Sequence, residues 1–211
     1  DRQDDPLHHD GKAGMNYVAL DFETANEYPG GACAVGLARF DEEGTLLDTY
    51  YTLIRPKEPY FDPSMSAVHQ LDSKECLAAA QFDTIWPAMV RFIGRDLVVA
   101  HNAAFDIGVL KGALEVYDLQ CDGLSYLCTL IIARKLWPKL LSYTLSYIVD
   151  SLELEYHSHY ALDDAIMCGT IFSKLCRGHL NDLLSLRKFL ITRGIEVKTI
   201  DRQRRGGDLF R

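Results

Sequence analysis

The chain has 211 residues, of which 48% are hydrophobic and 25% are charged, and its formal net charge is −8. This length allows one domain with a substantial core. No stretch approaches the roughly 20 consecutive apolar residues that span a bilayer, so we expect no membrane partner and a cytoplasmic protein. The acidic balance argues against a protein that coats nucleic acid with Lys and Arg. It does not argue against a carboxylate cluster that binds cations locally.

The six cysteines form no CxxC pair and show no zinc-finger spacing, and most of them lie within apolar runs. Free cysteines in such runs behave as small hydrophobic residues. We therefore expect structural thiols rather than disulfides or a zinc site.

The first third of the chain has the pattern of an antiparallel meander. Residues 1–14 are polar and are predicted to form a flexible extension. Residues 17–22, 32–40 and 46–54 are predicted strands, and residues 41–44 form a hairpin turn between the second and the third. The short links imply antiparallel pairing.

Beyond Pro63 the pattern changes to helices and short strands. The predicted strands are residues 97–100 and 125–128, and the predicted helices are residues 73–80, 84–93, 104–116, 129–136, 143–152, 160–175 and 180–193. A meander followed by this alternation predicts an α/β domain whose mixed sheet combines antiparallel and parallel strands, with helices packed on it. We place the domain at residues 15–195 and a flexible tail at residues 196–211.

The first acidic motif ends the first predicted strand, where Asp21 and Glu23 flank Phe22. Residues two apart on a strand point to the same face, so the two carboxylates converge while Phe22 enters the core. Carboxylates on an apolar strand are costly unless a cation or hydrogen bonds compensate them. A solvent-exposed strand end is an equally good explanation of this motif alone.

The second motif runs from the strand at residues 97–100 through His101 and Asn102 to Asp106, in the first turn of the next helix. Helix electrostatics favour an acid there by roughly 0.3–1 kcal/mol, and His101 and Asn102 can be ordinary loop or capping residues. These explanations account for single residues better than for the whole segment.

The third motif places His159 at a helix entrance and Asp164 about one turn inside the helix. Their offset puts them on different faces if both are helical, so we expect His159 to approach a common site from the preceding loop. Asp163 is the competing acid, and by adjacency it faces elsewhere. A histidine at such a position is most often a polar surface residue.

Together the motifs offer four carboxylates and one histidine on separate segments. Two divalent ions about 3.5–4 Å apart need such a cluster of hard oxygen ligands. A histidine with a pKa near neutrality suits the removal of a proton from an attacking water.

These segments resemble the DEDDh exonucleases, the DnaQ-like group that includes the epsilon proofreading subunit of bacterial DNA polymerase III. The resemblance covers residues 17–175, and its specificity comes from the order of the motifs and from the spacing of His159 and Asp164. It implies an RNase H-like fold, two Mg²⁺ or Mn²⁺ ions and hydrolysis from the 3′ end to nucleoside monophosphates. One departure is Tyr160, which stands where an Arg is common.

By position, the resemblance assigns roles to individual residues. The family's metal-binding acids match Asp21, Glu23, Asp106 and Asp164, and its general base matches His159, whereas the nearby His157 does not fit the spacing. The positions that contact the terminal nucleotide match Thr24, His69, Asn102 and Phe105. For His69 and Phe105, a loop histidine and a core aromatic are equally good explanations.

The leading hypothesis is a DNA 3′–5′ exonuclease of proofreading or repair, with DNA rather than RNA as the favoured partner. An exoribonuclease that trims RNA ends would use the same residues, and a non-catalytic nucleic-acid-binding module would keep the same fold. Residues 207–210 loosely resemble the end of sliding-clamp-binding peptides, which suggests a clamp or a DNA polymerase as a partner. A plain disordered terminus is the commoner explanation of such a tail.

Overall fold

The computed structural model describes residues 14–121, 123–155 and 158–200. The strands are β1 (Tyr17–Thr24), β2 (Ala32–Phe40), β3 (Leu46–Leu53), β4 (Leu97–Ala100), β5 (Leu124–Cys128) and β6 (Lys198–Ile200). The helices are α1 (Pro63–His69), α2 (Ser73–Ala78), α3 (Phe82–Ile93), α4 (Ala103–Val116), α5 (Thr129–Leu136), α6 (Leu145–Ser151), α7 (Ala161–Leu175) and α8 (Leu183–Ile191). None of the helices within these ranges is long and apolar enough to cross a membrane.

The strands form one mixed sheet in the order β3-β2-β1-β4-β5-β6. β2 pairs antiparallel with both β1 and β3, which confirms the predicted meander. β4 lies parallel to β1, and β5 lies parallel to β4. The carboxyl ends of β1, β4 and β5 therefore meet at one edge of the sheet, where sites of α/β proteins commonly lie.

Helices cover both faces of the sheet, and the central strand β1 is therefore buried on both sides. Tyr17 and Ala19 share a core with residues of α5, α6, α7 and α8. Leu20 and Phe22 share the other core with residues of α3 and α4. Since side chains alternate along a strand, Asp21 lies on the face that α7 covers.

Two elements differ from the prediction. Helix α1 was missed, although its start is marked in the sequence: Asp62 accepts hydrogen bonds from the Ser64 and Met65 N–H groups, and Pro63 occupies the first position. The prediction of a flexible tail at residues 196–211 was wrong for β6 (Lys198–Ile200). This strand pairs antiparallel with β5 and buries Ile200. A three-residue edge strand depends on a distant partner, which no local pattern reports. Residues 1–13 and 201–211, and with them the clamp-like segment, lie outside the described residues.

The cysteines are free thiols, and five of the six are buried. Cys168, for example, belongs to the core beneath α7. This confirms the expectation of structural thiols.

Candidate active site

Asp21 and Glu23 lie on the α7 face of β1, at its carboxyl end. Asp21 stands opposite Gly36 of β2. A Cβ atom on Gly36 would lie 2.2 Å from the carbonyl oxygen of Ala161, the first residue of α7. The absence of a side chain at Gly36 thus lets the start of α7 rest on the sheet beside Asp21, which brings Asp164, in the first turn of α7, to the same place.

Asp106 reaches the site from the opposite face of the sheet. It lies in the first turn of α4 and is 1% exposed. The Phe22 N–H donates a hydrogen bond to its Oδ1 atom over 3.0 Å. This bond ties the start of α4 to the segment of β1 that carries Asp21 and Glu23.

Asp164 and His159 complete the cluster from the start of α7. The His159 N–H donates to Asp164 Oδ2 over 3.0 Å, while the buried Oδ1 atom of Asp164 has no hydrogen-bond partner among the described residues. Ligand atoms of Glu23, His159 and Asp164 all lie within 4.8 Å of one another, and Asp163 is not part of this group. His159 is exposed and has a φ of 64°, a left-handed conformation that non-glycine residues rarely adopt outside functional sites and turns.

Burial raises the pKa values of all four carboxyl groups, and repulsion within the cluster adds to this for Asp21, Glu23 and Asp106. Burial, then repulsion from Asp106, Asp164 and Glu23, raises the pKa of Asp21 well above its usual range. Burial and repulsion from Asp164 and Asp106 raise the pKa of Glu23 to about 8. Burial also raises the pKa of Asp106 to about 7 and that of Asp164 to about 6. Without a bound cation, such a cluster retains protons at neutral pH.

A cleft of about 320 Å³ opens above Asp21, Glu23 and Asp164, and Asp106 lies beneath its lining. Thr24, His69 and Phe105 line this cleft, as the resemblance predicts for contacts with a terminal nucleotide. Met65 and Val68 of α1 also line it. The sequence interpretation missed both because it missed α1, whose Asp-Pro start was the available signal.

Of the predicted contacts, Asn102 lies apart from this cleft. It occupies the position before the first residue of α4 with a φ of 65°, a conformation that Asn tolerates, and its side chain makes no capping hydrogen bond. It lines a separate groove between α4 and α5. Its neighbour His101 has a structural role: its Nε2 lies 2.8 Å from the Tyr143 carbonyl oxygen and its Nδ1 lies 2.9 Å from Thr129 Oγ1. His157, the rival of His159, lies outside the described residues.

The ring of His69 is fixed at the wall of the cleft. Its Nδ1 atom accepts a hydrogen bond from the Leu71 N–H over 3.0 Å, and its Nε2 atom lies 3.7 Å from Cys33 Sγ. Burial lowers the pKa of His69, so the ring is neutral at neutral pH. A neutral, fixed imidazole suits a positioning contact rather than proton transfer.

Comparison with known proteins identifies the family. The family model described as exonuclease (RNase_T) matches residues 18–172. The chain belongs to the exonuclease family. Among relatives of this exonuclease, the PolC-type DNA polymerase III of Thermotoga petrophila is 28% identical over 188 residues, which are 87% of the chain but 13% of that protein. The epsilon subunit of DNA polymerase III from Aquifex aeolicus is 26% identical over 162 residues, which are 75% of the chain and 79% of that protein.

Solved structures confirm the fold of this exonuclease. The nuclease domain of 3′hExo, a DEDDh family member bound to rAMP, has a TM-score of 0.67 at 11% identity and covers 90% of the chain and 98% of the domain. Product-bound exonuclease I has a TM-score of 0.66 at 16% identity, covering 85% of the chain and 46% of that protein. The RNase H-like fold and the resemblance to DEDDh exonucleases are therefore confirmed.

Proposed function

We propose that the chain is a metal-dependent 3′–5′ exonuclease that releases nucleoside monophosphates from DNA. The observation that carries this proposal is the buried Oδ1 atom of Asp164. Within residues 14–121, 123–155 and 158–200 this atom has no hydrogen-bond partner, although it lies among three further carboxyl groups with raised pKa values. A buried carboxylate oxygen without a partner is costly. A divalent cation in the cleft would compensate it and would lower all four pKa values.

The donor set fits Mg²⁺ or Mn²⁺, which prefer carboxylate oxygens. Two such ions would be held by the side chains of Asp21, Glu23, Asp106 and Asp164. When bound, a pair of ions supplies Lewis-acid stabilisation of charge on the scissile phosphate and on the departing oxygen. The hydrogen bond from Phe22 holds Asp106, and the hydrogen bond from His159 holds Asp164, so two of the four ligands are oriented in advance.

His159 is the proposed general base. Its ring lies within 4.8 Å of the ligand atoms of Glu23 and Asp164, and its exposure lets it return the proton to solvent. In the hydrolysis, the oxygen of a water molecule bonds to phosphorus and a proton of that water passes to His159. The bond from phosphorus to the 3′ oxygen of the neighbouring nucleotide breaks, and that oxygen takes up a proton from solvent to become the 3′ hydroxyl of the shortened strand. The left-handed backbone at His159 keeps the ring at the mouth of the cleft while its N–H binds Asp164.

Phe105 is the proposed stacking surface for the terminal base. Its ring lines the cleft and is 46% exposed, which excludes the simple core aromatic that the sequence left open. Stacking of a base on an aromatic side chain contributes about 1–3 kcal/mol. Thr24 and His69 line the same cleft and would contact the sugar and phosphate of that nucleotide.

The relatives support DNA as the substrate. The proteins at 26–28% identity are named as forms of DNA polymerase III, so we propose that the chain acts beside a DNA polymerase in proofreading. The chain spans 13% of the PolC-type polymerase it matches, so the proposed role in proofreading rests on sequence similarity to the exonuclease part of that polymerase.

The test compares 5′-labelled single-stranded DNA, matched and mismatched duplex ends, and RNA, each with Mn²⁺ or with EDTA. We expect a ladder that shortens from the 3′ end, faster on DNA than on RNA, and no product in EDTA. Asp164→Ala should abolish cleavage in Mn²⁺, whereas substitution of its neighbour, Asp163→Ala, should not. Activity in EDTA, or equal activity of both variants, would refute the metal site, and faster RNA cleavage would refute the choice of DNA.

A further inference from the structure

A groove of about 620 Å³ lies on the other side of α4 from the active-site cleft. Its floor is the end of β5, and its walls are α4, the start of α5 and residues 194–198. The carboxyl ends of β1 and β5 lie at the same edge of the sheet. The groove therefore opens on the same side of the molecule as the four acids.

The cleft and the groove are connected across the first two turns of α4. Phe105 lines both the active-site cleft and a pocket beside it. Ala104 and Gly108 line that pocket and also the groove. A Cβ atom on Gly108 would meet no atom within 4 Å, so this face of α4 is open to a close approach.

The groove is basic in a chain whose net charge is −8. Of the residues that the structure describes, three exposed cations line it, Lys111, Arg134 and Lys198, against a single carboxylate, that of Glu196. The helices α4 and α5 also begin at the groove, and neither has a side-chain hydrogen bond to its first turn. Uncapped N–H groups at a helix start add partial positive charge and donors for phosphate oxygens.

We propose that this groove binds the phosphate backbone of the strand whose 3′ end lies in the cleft. The proposal rests on the proposed function, because that function places the 3′ end above the four acids. From Ala104 to Lys111 the strand would follow α4 for about 10 Å at 1.5 Å per residue. Lys111 therefore lies beyond the reach of the terminal nucleotide, which occupies the cleft.

The test is a triple variant, Lys111→Ala, Arg134→Ala and Lys198→Ala. The matched control carries the same change of charge at exposed residues that line neither the groove nor the cleft: Arg95→Ala, Lys174→Ala and Arg177→Ala. Binding of fluorescein-labelled oligothymidylates of two, four, eight and twelve nucleotides is measured by anisotropy in EDTA at several salt concentrations. Hydrolysis of the p-nitrophenyl ester of thymidine 5′-monophosphate with Mn²⁺ reports the active centre alone, since one nucleotide does not reach the groove.

We expect the groove variant to lose tenfold or more in affinity for the eight- and twelve-nucleotide strands. The slope of log affinity against log salt should become shallower by about 2, at about 0.7 for each of three phosphates. Binding of the dinucleotide and hydrolysis of the ester should match the control variant.

Unchanged binding of the long strands would overturn the proposal, and the cations would then be available to an acidic surface of a protein partner. Equal losses for short and long strands, or a loss of ester hydrolysis, would also overturn it, since the residues would then act on the active centre. If the unmodified chain hydrolysed nothing, the proposed function would fail, while the anisotropy data would still decide whether the groove binds phosphate.

Discussion

Replacement of Asp106 by Asn tests how much the buried carboxyl group destabilises the fold in the absence of metal, separately from its proposed role in metal binding. Asn keeps the volume of the side chain and an oxygen that accepts the hydrogen bond from the Phe22 N–H, but it removes the charge. Burial raises the pKa of Asp106 to about 7, from an ordinary value of 3.8. The metal-free protein therefore bears the cost of a buried carboxylate, and we expect Asp106→Asn to be more stable than the unmodified chain in EDTA.

The size of the expected gain in stability follows from the pKa shift of Asp106. About three pKa units at 1.36 kcal/mol each correspond to about 4 kcal/mol. This figure already includes the Phe22 hydrogen bond, which lowers the pKa, but Asn brings a buried NH₂ group, which offsets about 1–2 kcal/mol. We expect a net gain of about 2–3 kcal/mol, or roughly 5–10 °C in Tm for a chain of this size.

The sign of the pH dependence is fixed by the direction of the shift. A carboxyl whose folded pKa is raised destabilises the fold above its unfolded pKa, and the cost grows until pH reaches the folded value. The gain should therefore be absent near pH 4, rise between pH 4 and 7, and stay constant above that. Calorimetric scans at pH 4, 6 and 8 in EDTA measure it, and scans in Mg²⁺ should show the unmodified chain regaining stability by ligand binding while the variant does not.

Two results would refute this reasoning. One is an Asp106→Asn protein that is less stable than the unmodified chain in EDTA at pH 8. The other is a gain that does not depend on pH. The control is Asp62→Asn at the cap of α1, where hydrogen bonds from Ser64 lower the pKa, so the same substitution should bring no gain at any pH.

Three further substitutions test the site. His159→Asn removes the proposed base, and Asn tolerates the left-handed backbone. The rate should therefore fall by about 10²–10⁴ while Mn²⁺ binding, measured by calorimetry, persists. A rate equal to that of the unmodified chain would exclude the base assignment. Gly36→Ala would push the new Cβ against the Ala161 carbonyl. It should lower the free energy of unfolding by about 1–3 kcal/mol and should also reduce activity. Its control is Gly108→Ala, which has open space around the new Cβ and should raise Tm. Phe105→Ala should weaken binding of thymidine monophosphate by about 1–3 kcal/mol with little change in Tm, and unchanged binding would contradict the stacking role.

The sequence by itself determined the order of most elements and the residues of the acidic cluster. Alternation along β1 separated Asp21 and Glu23 from the apolar residues, and the order of strand, turn and helix placed Asp106 in the first turn of a helix. These inferences succeeded because strand and helix periodicity are local properties of the backbone. The proposed role of His159 came from the resemblance, since a lone histidine before a helix has no local signature.

Only the tertiary structure decided which of these side chains meet and what surrounds them. The contact of α7 with Gly36, the bond from Phe22 to Asp106 and the pairing of β6 with β5 join residues distant in sequence. The tertiary structure also placed Phe105 in the cleft and Asn102 in the basic groove, although the two are three residues apart and share one motif. Local patterns fix the direction of a side chain on its own element, whereas the packing of elements against each other fixes what that side chain faces.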